Sequence, residues 1–192
     1  MSLRHLFGSK DLDELEQRRI LLRERIGAES DGQLPSQRAF DLFPELWLRA
    51  EGRWIHRVVK TAHGNDSEWL VEPSERYDDP FELVDGEPGG WTYLCASILR
   101  RELHELGRTG AHAHWSSHRL CAELDARLDP AIPEDLRAEV IEDNTRVTVR
   151  FHSLHGGSLF LHEDRYRAEG FEHLSRDRVI VHGLSLSKAS DS

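Results

Sequence analysis

Residues 89–128 read GGWTYLCASILRRELHELGRTGAHAHWSSHRLCAELDARL, and the rest of the chain is arranged around them. Apolar side chains recur at three- and four-residue spacing over residues 91–106, which predicts an amphipathic helix behind the two glycines. Residues 107–110 turn the chain, and a second amphipathic run extends from about Ser116 to Leu128. Because the connection is short, we expect the two helices to pack as an antiparallel hairpin at the centre of the fold.

Helical and strand periodicities alternate along the rest of the chain. After a loose arm at residues 1–10, helices are predicted at residues 12–26, 36–50 and 133–141. Period-two alternation and β-branched content indicate strands at residues 54–60, 68–72, 147–152, 159–162 and 178–186. The sequence therefore predicts a single α+β domain over residues 1–192, in which amino-terminal helices and the central helical hairpin pack on an antiparallel sheet of about five strands, followed by a frayed tail at residues 187–192.

Composition restricts the class of protein. Hydrophobic residues make up 38% and charged residues 31% of the 192 positions, which is typical of a globular chain. The longest apolar run is shorter than the ~20 residues of a membrane span, and the amino terminus lacks the apolar core of a signal peptide. We therefore expect a cytoplasmic protein whose two cysteines are reduced, with a disulfide between Cys95 and Cys121 as the alternative that the sequence leaves open. A net charge of −10 argues against direct nucleic-acid binding, and twelve histidines make the charge sensitive to pH.

Negative charge is concentrated at residues 72–90, where seven acidic residues accompany one arginine. Three prolines keep this segment out of helices and central strands, so a loop is predicted. An acidic loop can be a plain solvated surface, a cation site, or a docking surface for a basic partner protein. The candidate partner-binding residues are Glu75, Asp78, Asp79, Glu82, Asp85 and Glu87.

Three histidines follow the predicted hairpin turn with the spacing H-x-H-x3-H. His112 and His114 project to the same side of an extended segment, and His118 lies one turn further along if a helix begins near Trp115. Three imidazole nitrogens can hold a single divalent metal, zinc or iron, with an open position for a water nucleophile. The same pattern also arises where a polar turn feeds the exposed first turn of a helix.

Cys95 presents a second candidate site. Near the amino terminus of a helix its thiolate would be stabilised, and with His112 or His114 as a base it would act as a nucleophile. Cys95 also falls on the apolar stripe that contains Leu94 and Ile98, where a small buried hydrophobic side chain is the usual occupant. The sequence leaves both interpretations open.

The carboxy-terminal strands carry many basic side chains. Alternation places Arg150 and His152 on the face opposite Val149 and Phe151, so one face of the sheet is expected to be cationic, more so as the pH falls. Such a face can bind an anionic ligand or an acidic loop, or it can simply face solvent. Other basic residues in this part of the chain are Arg146, His155, His162, Arg165, Arg167, His173 and His182.

Two functions of different classes follow from these features. The first is a non-catalytic accessory protein that docks a partner protein through the acidic loop and the exposed sheet face. The second is a small metal-dependent hydrolase or nuclease built around His112, His114 and His118, with a carboxylate from residues 75–87 as a ligand or general base. The sequence lacks a phosphate-binding glycine loop, paired zinc cysteines and a dinucleotide fingerprint.

Overall fold

A computed structural model describes residues 2–28, 33–49, 53–72, 80–105, 115–125, 129–167, 170–171 and 173–184. Helices and antiparallel strands both form in these ranges, and the predicted α+β class is confirmed. No helix within them is long and apolar enough to cross a membrane. In chain order the elements are β1 (Leu3–Phe7), α1 (Ser9–Ala28), β2 (Gln33–Pro35), α2 (Ser36–Phe40), β3 (Leu46–Leu48), β4 (Arg53–Thr61), β5 (Gly64–Glu72), β6 (Val84–Gly86), α3 (Gly90–Glu105), β7 (Arg119–Cys121), β8 (Ala138–Glu142), β9 (Arg146–His155), β10 (Ser158–Arg167) and β11 (His173–Val181).

Among the described residues the main sheet has six strands, all antiparallel to their neighbours. Its order is β1-β8-β9-β10-β11, and β7 pairs with the end of β9 beyond the residues that β8 occupies. The turn between β9 and β10 contains Gly156 and Gly157, whose φ angles are 55° and 72°. Two consecutive residues with positive φ suit a tight hairpin turn, because its twist matches that of the paired strands. The turn joins the strands that the sequence predicts at residues 147–152 and 159–162.

Helices α1 and α3 lie against one face of the main sheet, which we call the covered face. Leucines of both helices, among them Leu15 and Leu94, share a buried cluster with Val149 and Phe151 of β9. The Ser97 hydroxyl of α3 lies 2.7 Å from the phenol oxygen of Tyr166 in β10, so a polar contact also joins helix and sheet. Burial of both helices on one face accounts for most of the apolar core.

The opposite face of the main sheet is called the open face here. A second, smaller apolar cluster around Ile132, Leu136 and Leu159 covers one end of it. The alternation along the paired strands leaves a largely polar set on the remainder of this face. Its members are Arg4, Leu6, Glu139, Ile141, Arg146, Thr148, Arg150, His152, Leu161, Glu163, Arg165, Arg167, Leu174, Arg176 and Arg178.

The described part of the chain also forms two smaller sheets. Strands β2, β4 and β5 form one, and β3 pairs with β6 in the other. The strands predicted at residues 54–60 and 68–72 are present as the β4–β5 hairpin, whose turn lies at residues 62–63 and not in the polar segment between the two predictions. The polar residues at 64–67 pair instead with the end of β4, opposite Thr61, Lys60, Val59 and Val58.

The second helix of the central hairpin is not formed in the described residues. Trp115–Ser117 makes one 3-10 turn, and Arg119–Cys121 is strand β7. Leu120 and Cys121 are consecutive residues that a strand directs to opposite faces of the sheet, and each joins a different buried cluster. A strand that is buried on both faces therefore shows the same adjacent apolar residues that predicted a helix here.

Other boundaries were also predicted wrongly. The helix expected at residues 36–50 is shorter, because α2 ends at Phe40 and Leu46–Leu48 is strand β3. The arm at residues 1–10 is strand β1 and the start of α1, because β1 pairs along its length with β8. The helix expected at residues 133–141 is replaced by an irregular link and β8, in which Ala138 and Val140 alternate into the core. The acidic loop at residues 72–90 contains a 3-10 turn at Pro80–Leu83, strand β6 and the start of α3. Residues 73–79 and the predicted tail at 187–192 lie outside the described residues.

Candidate functional site

The structure places few of the predicted partner-binding acids. Asp85 lies in β6, and its carboxylate is 3.0 Å from the guanidinium of Arg49. Glu87 is exposed just beyond that strand. The side chain of Glu82 and the whole of Glu75, Asp78 and Asp79 lie outside the described part of the chain.

Of the three predicted metal ligands, only His118 belongs to the described residues. It follows the 3-10 turn at Trp115–Ser117, and its ring is half-buried against the rings of Trp115 and His155. His112 and His114 lie outside the described residues. The described residues contain no group of three or more histidine, cysteine or acidic side chains that could hold a metal ion.

Cys95 is not placed as a nucleophile. Its side chain is fully buried in the core, and burial raises the pKa of its thiol well above the ordinary value. The guanidinium of Arg18 lies 3.9 Å from the sulfur, but Arg18 is bound by the carboxylate of Glu45 at 2.8 and 2.9 Å. Cys121 is also a buried free thiol. Both cysteines therefore pack as small apolar side chains.

A chain of four hydrogen-bonded side chains crosses the covered face from His118 to β11. His118 Nδ1 lies 2.8 Å from the Ser153 hydroxyl, which lies 2.7 Å from His162 Nε2. His162 Nδ1 is 2.8 Å from the carboxylate of Asp177. Asp177 also accepts a hydrogen bond from Arg101, which binds Asp164 as well. We call His118, Ser153, His162 and Asp177 the histidine relay.

Proton positions in the relay follow from its anionic end. Asp177 accepts the Nδ1–H of His162, so Nε2 of a neutral His162 is an acceptor and the Ser153 hydroxyl donates to it. Ser153 must then accept the Nδ1–H of His118, which leaves the lone pair of His118 on Nε2. Burial and the neighbouring imidazoles lower the pKa of His118 to about 4, and burial lowers that of His162. Both rings are therefore neutral near pH 7.

Ser153, His162 and Asp177 are the same groups, in the same order, as a serine hydrolase triad. Ser153 is nevertheless fully buried, and its hydroxyl is held between two imidazoles. No substrate carbonyl can reach that oxygen in this arrangement. The atom of the relay that is open to chemistry is Nε2 of His118, which has no hydrogen-bond partner in the described part of the chain.

A groove of about 370 Å³ opens on the open face of the main sheet. Side chains from β1, β8, β9, β10, β11 and the link before β8 line it. Four are arginines and three are carboxylates, so cations are in excess by one. The lining residues are Arg4, Leu6, Asp135, Arg137, Glu139, Arg150, His152, Leu161, Glu163 and Arg178.

The arginines of the groove differ in how they are paired. Arg4 pairs with Glu139, and Arg150 pairs with Glu163 at 2.8 Å and more loosely with Glu139 at 3.5 Å. Arg137 pairs with Asp135 beside it at 2.8 Å. These arginine side chains are 41–62% exposed. Their guanidinium groups are therefore only partly used and remain in contact with solvent.

Arg178 differs from the others in the groove. Its side chain is exposed, and no carboxylate within the described residues pairs with it. Arg176, two residues earlier on the same face of β11, is exposed as well and also lacks an acidic partner there. Two adjacent guanidinium groups on this face are therefore available to an anion from outside.

His152 contributes less charge to this face than the sequence suggested. It lines the groove with Arg150 as predicted, but it is buried and its Nδ1 lies 3.1 Å from the carbonyl oxygen of Leu136. Burial lowers the pKa of its imidazole, so the ring is neutral near pH 7. The cationic character of the groove comes from arginines and does not depend on pH in the physiological range.

Sequence reasoning missed Arg4, Arg137 and Arg178. Arg4 was assigned to a loose arm and Arg137 to a helix, so neither was expected on the sheet. The alternation in residues 174–181 is the signal that could have found Arg176 and Arg178, because it gives them the same side of a strand.

Comparisons with models of protein families, with curated proteins and with solved structures found no match to this chain.

Proposed function

We propose that this protein is a non-catalytic interaction protein, which binds an acidic segment of a partner protein in the groove on the open face of its main sheet. The observation that carries the proposal is the exposed Arg178, without a carboxylate partner among the described residues, beside three further arginines of the groove. A planar guanidinium can hold a carboxylate through two parallel hydrogen bonds. An acidic segment is therefore the chemistry that this groove fits.

The existing ion pairs of the groove do not oppose such binding strongly. Arg4 and Arg150 are 62% and 41% exposed, whereas their partner Glu139 is 15% exposed. Each guanidinium carries five N–H donors, so Arg4 and Arg150 can bind a partner's carboxylate through their solvent-facing N–H groups while they keep Glu139. Glu163 already binds both Arg150 and Arg165, and this leaves Arg178 to the partner.

The charge of the whole chain adds orientation to this contact. The net charge is −10, so the chain as a whole repels an acidic partner. The open face concentrates arginines instead, and complementary potentials guide a partner to the matching surface. Binding should consequently be directed to one face of the molecule.

The acidic segment at residues 72–90 remains part of the proposal as a second contact. Its candidate residues are the acids named from the sequence, of which Glu87 is exposed and Asp85 is half-exposed beside Arg49. This segment would bind a basic surface on the same partner. Its support is the density of acidic residues in the sequence.

Affinity for a defined acidic peptide tests the groove. A fluorescent twelve-residue peptide of alternating glutamate and threonine should bind, and a matched peptide with glutamine in place of glutamate should not. Arg178→Glu should weaken binding about tenfold or more, because it places like charges together in the contact. Raising the salt concentration should weaken binding as well, since the Debye length shrinks below ~10 Å.

Arg25→Glu is the matched control, because Arg25 is an exposed arginine of α1, which packs on the covered face. It should leave the affinity unchanged. Equal affinities for the wild type, Arg178→Glu and Arg25→Glu proteins, or binding that does not change with salt, would contradict the proposal.

A second candidate function rests on Nε2 of His118. Because its Nδ1–H is directed to Ser153, the ring presents its other nitrogen as a fixed lone pair, the arrangement that metal-binding histidines usually have. We propose, as the alternative, a metal-dependent hydrolase or nuclease in which His118 holds zinc or iron together with His112 and His114. Metal content of protein purified without chelator tests this alternative.

Stoichiometric metal that is lost when His112 and His114 are both changed to alanine would support the alternative. His63→Ala, at the exposed turn of the β4–β5 hairpin, is the control and should retain the metal. Folded wild-type protein that holds no metal after incubation with zinc or iron(II) would reject the alternative.

A further inference from the structure

Strand β11 is an edge of the main sheet. Within the described residues it pairs only with β10, and residues 174–178 are exposed one after another. Leu174 is 77% exposed, the largest value among the large apolar side chains whose burial the structure describes. An edge strand offers unpaired backbone N–H and C=O groups to another extended chain. We propose that the acidic segment of the partner binds as an added strand along β11, an inference that rests on the proposed function of the groove.

Side-chain alternation along β11 separates two environments. Leu174, Arg176 and Arg178 lie on the open face, next to the groove. Asp177 lies on the covered face, where its carboxylate binds His162 and Arg101 and is half-exposed. An added strand therefore meets two cations on one face and an anion on the other.

These two environments define a sequence pattern for the partner. Residues directly opposite one another on paired strands share a face, so acids should stand opposite Arg178 and Arg176. An apolar residue should stand opposite Leu174. For an antiparallel strand the pattern is acid, any residue, acid, any residue, apolar, and a parallel strand reads it in reverse. Acids at the intervening positions are disfavoured because one would lie beside Asp177.

Like charges disfavour pairing of this edge with a second copy of the chain in the registers that bring Arg176, Asp177 and Arg178 opposite one another. When β11 pairs symmetrically and antiparallel with β11 of a second copy, the open faces of the two copies must lie on the same side of the joined sheet. Registers centred on Arg176 or Arg178 place that arginine opposite itself, and the register centred on Asp177 places Asp177 opposite Asp177 and Arg176 opposite Arg178. Like charges directly opposite are destabilising in a sheet. The edge thus favours a different chain with acidic residues.

Alternate backbone methylation of a peptide tests strand addition directly. The probe is a nine-residue peptide with glutamate at positions 3 and 5, valine at position 7, and threonine elsewhere. One derivative is N-methylated at odd positions and the other at even positions. An added strand directs the amides of only one set to β11, so one derivative should lose about tenfold or more in affinity and the other should bind like the parent.

The protein side supplies an independent variant. Arg176 does not line the groove, but it lies opposite the added strand. Arg176→Glu should therefore weaken binding of the nine-residue peptide by about tenfold. Arg146→Glu, at the far end of the open face, is the matched control and should not change the affinity. A peptide with its two glutamates adjacent should bind more weakly than the parent.

The failures of the two proposals are distinguishable. Unchanged binding by both methylated derivatives, with Arg178→Glu still weakening it, would overturn strand addition and leave docking in the groove. Equal loss of affinity by both derivatives would also overturn strand addition, because binding would then not depend on which set of peptide amides faces β11. Absence of binding by the unmodified nine-residue and twelve-residue peptides would overturn the proposed function itself.

Discussion

Two groups of charged side chains lie on opposite sides of the main sheet, and they are built in different ways. Beneath the covered face, Glu102 of α3 accepts hydrogen bonds from Arg19, Arg23 and Trp115 at 2.5–2.9 Å. Arg19 is fully buried and also binds Glu16 at 2.6 Å. On the open face, the arginine of each ion pair is 41–62% exposed, and Arg178 has no acidic partner among the described residues.

The difference indicates which charges serve the fold and which serve binding. A buried ion without its partner is costly, so the atoms of Arg19 and Glu102 are fully engaged inside the molecule. They join α1, α3 and the turn at Trp115, which in turn positions His118. Exposed arginines contribute little to stability and remain available to another molecule. The same residue type thus has two uses, decided by burial.

Glu102→Gln should give the largest loss of stability. The change leaves Arg19 as a buried cation without its nearest anion, and removing one partner of a buried pair costs about 3–5 kcal/mol. Urea denaturation should show this as a lower midpoint with an unchanged slope. Glu14→Gln is the control, because Glu14 is 56% exposed in its pair with Arg18 and should lose less than about 0.5 kcal/mol. Equal losses in the two proteins would break the distinction between buried and exposed pairs.

Ser153→Ala should give the next largest effect. The hydroxyl joins His118 to His162, and its removal leaves two ring nitrogens without a partner, which costs about 1–3 kcal/mol for a buried polar group. Thermal unfolding measures the loss. Ser158→Ala is the matched change in the next strand, where the hydroxyl makes only an exposed contact with His182 at 3.4 Å. A neutral Ser153→Ala would show that the relay contributes nothing to the fold.

Acidification should weaken the fold through the histidine relay. The pKa of His118 is about 4 in the folded chain, against an ordinary value of 6.5. Between these two pH values the unfolded chain binds a proton that the folded chain does not. The contribution of His118 to the free energy of unfolding is therefore complete above pH 6.5 and is lost as the pH falls toward 4. His162 acts in the same direction. Asp177 has a lowered pKa, so the stability that its carboxylate contributes is lost only in stronger acid.

The titratable groups that act on His118 are those of His155, His162, Arg19 and Asp177. Of these, only the Asp177 carboxylate favours the protonated ring. A series of melting temperatures from pH 8 to pH 4 tests the prediction. His118→Gln should show a shallower fall than the wild type, even if it starts lower. Parallel curves would mean that His118 does not titrate on unfolding.

Arg178→Glu should have the smallest effect on stability. Surface substitutions without a specific contact usually stay within about 0.5 kcal/mol, and Arg178 has no acidic partner among the described residues. Urea denaturation should therefore match the wild type while peptide affinity falls. A loss as large as that of Ser153→Ala would assign Arg178 to the fold and not to binding.

Local periodicity correctly predicted the elements whose apolar residues are buried on one side only. The stripe of α3 and the alternation of Val147, Val149 and Phe151 each bury one side, so the α+β class and the β9–β10 hairpin followed from the sequence. Strand β7 did not, because Leu120 and Cys121 are buried on opposite faces while their spacing with Leu124 also suits a helix. Strand β1 did not either, since its pairing with β8 leaves Leu3 and Leu6 exposed.

The candidate groove was only partly predictable for a similar reason. Arg150 and His152 share a strand, so their common face could be deduced from alternation. Arg4, Arg137 and Arg178 come from segments far apart in sequence, and only the strand order brings them together. The relay also depends on that order, because Asp177 meets His162 across paired strands. Non-local pairing is the information that one sequence does not display.

The pairing of β1 with β8 has a consequence for synthesis of the chain. Phe7 lies opposite Ala138, more than 130 residues later, so the first strand has no place in the sheet until most of the polypeptide has been made. Contacts of such high sequence separation form slowly. While the ribosome is still translating, Leu3 to Phe7 and the apolar side of α1 remain uncovered, and a chaperone that shields nascent chains would find them there.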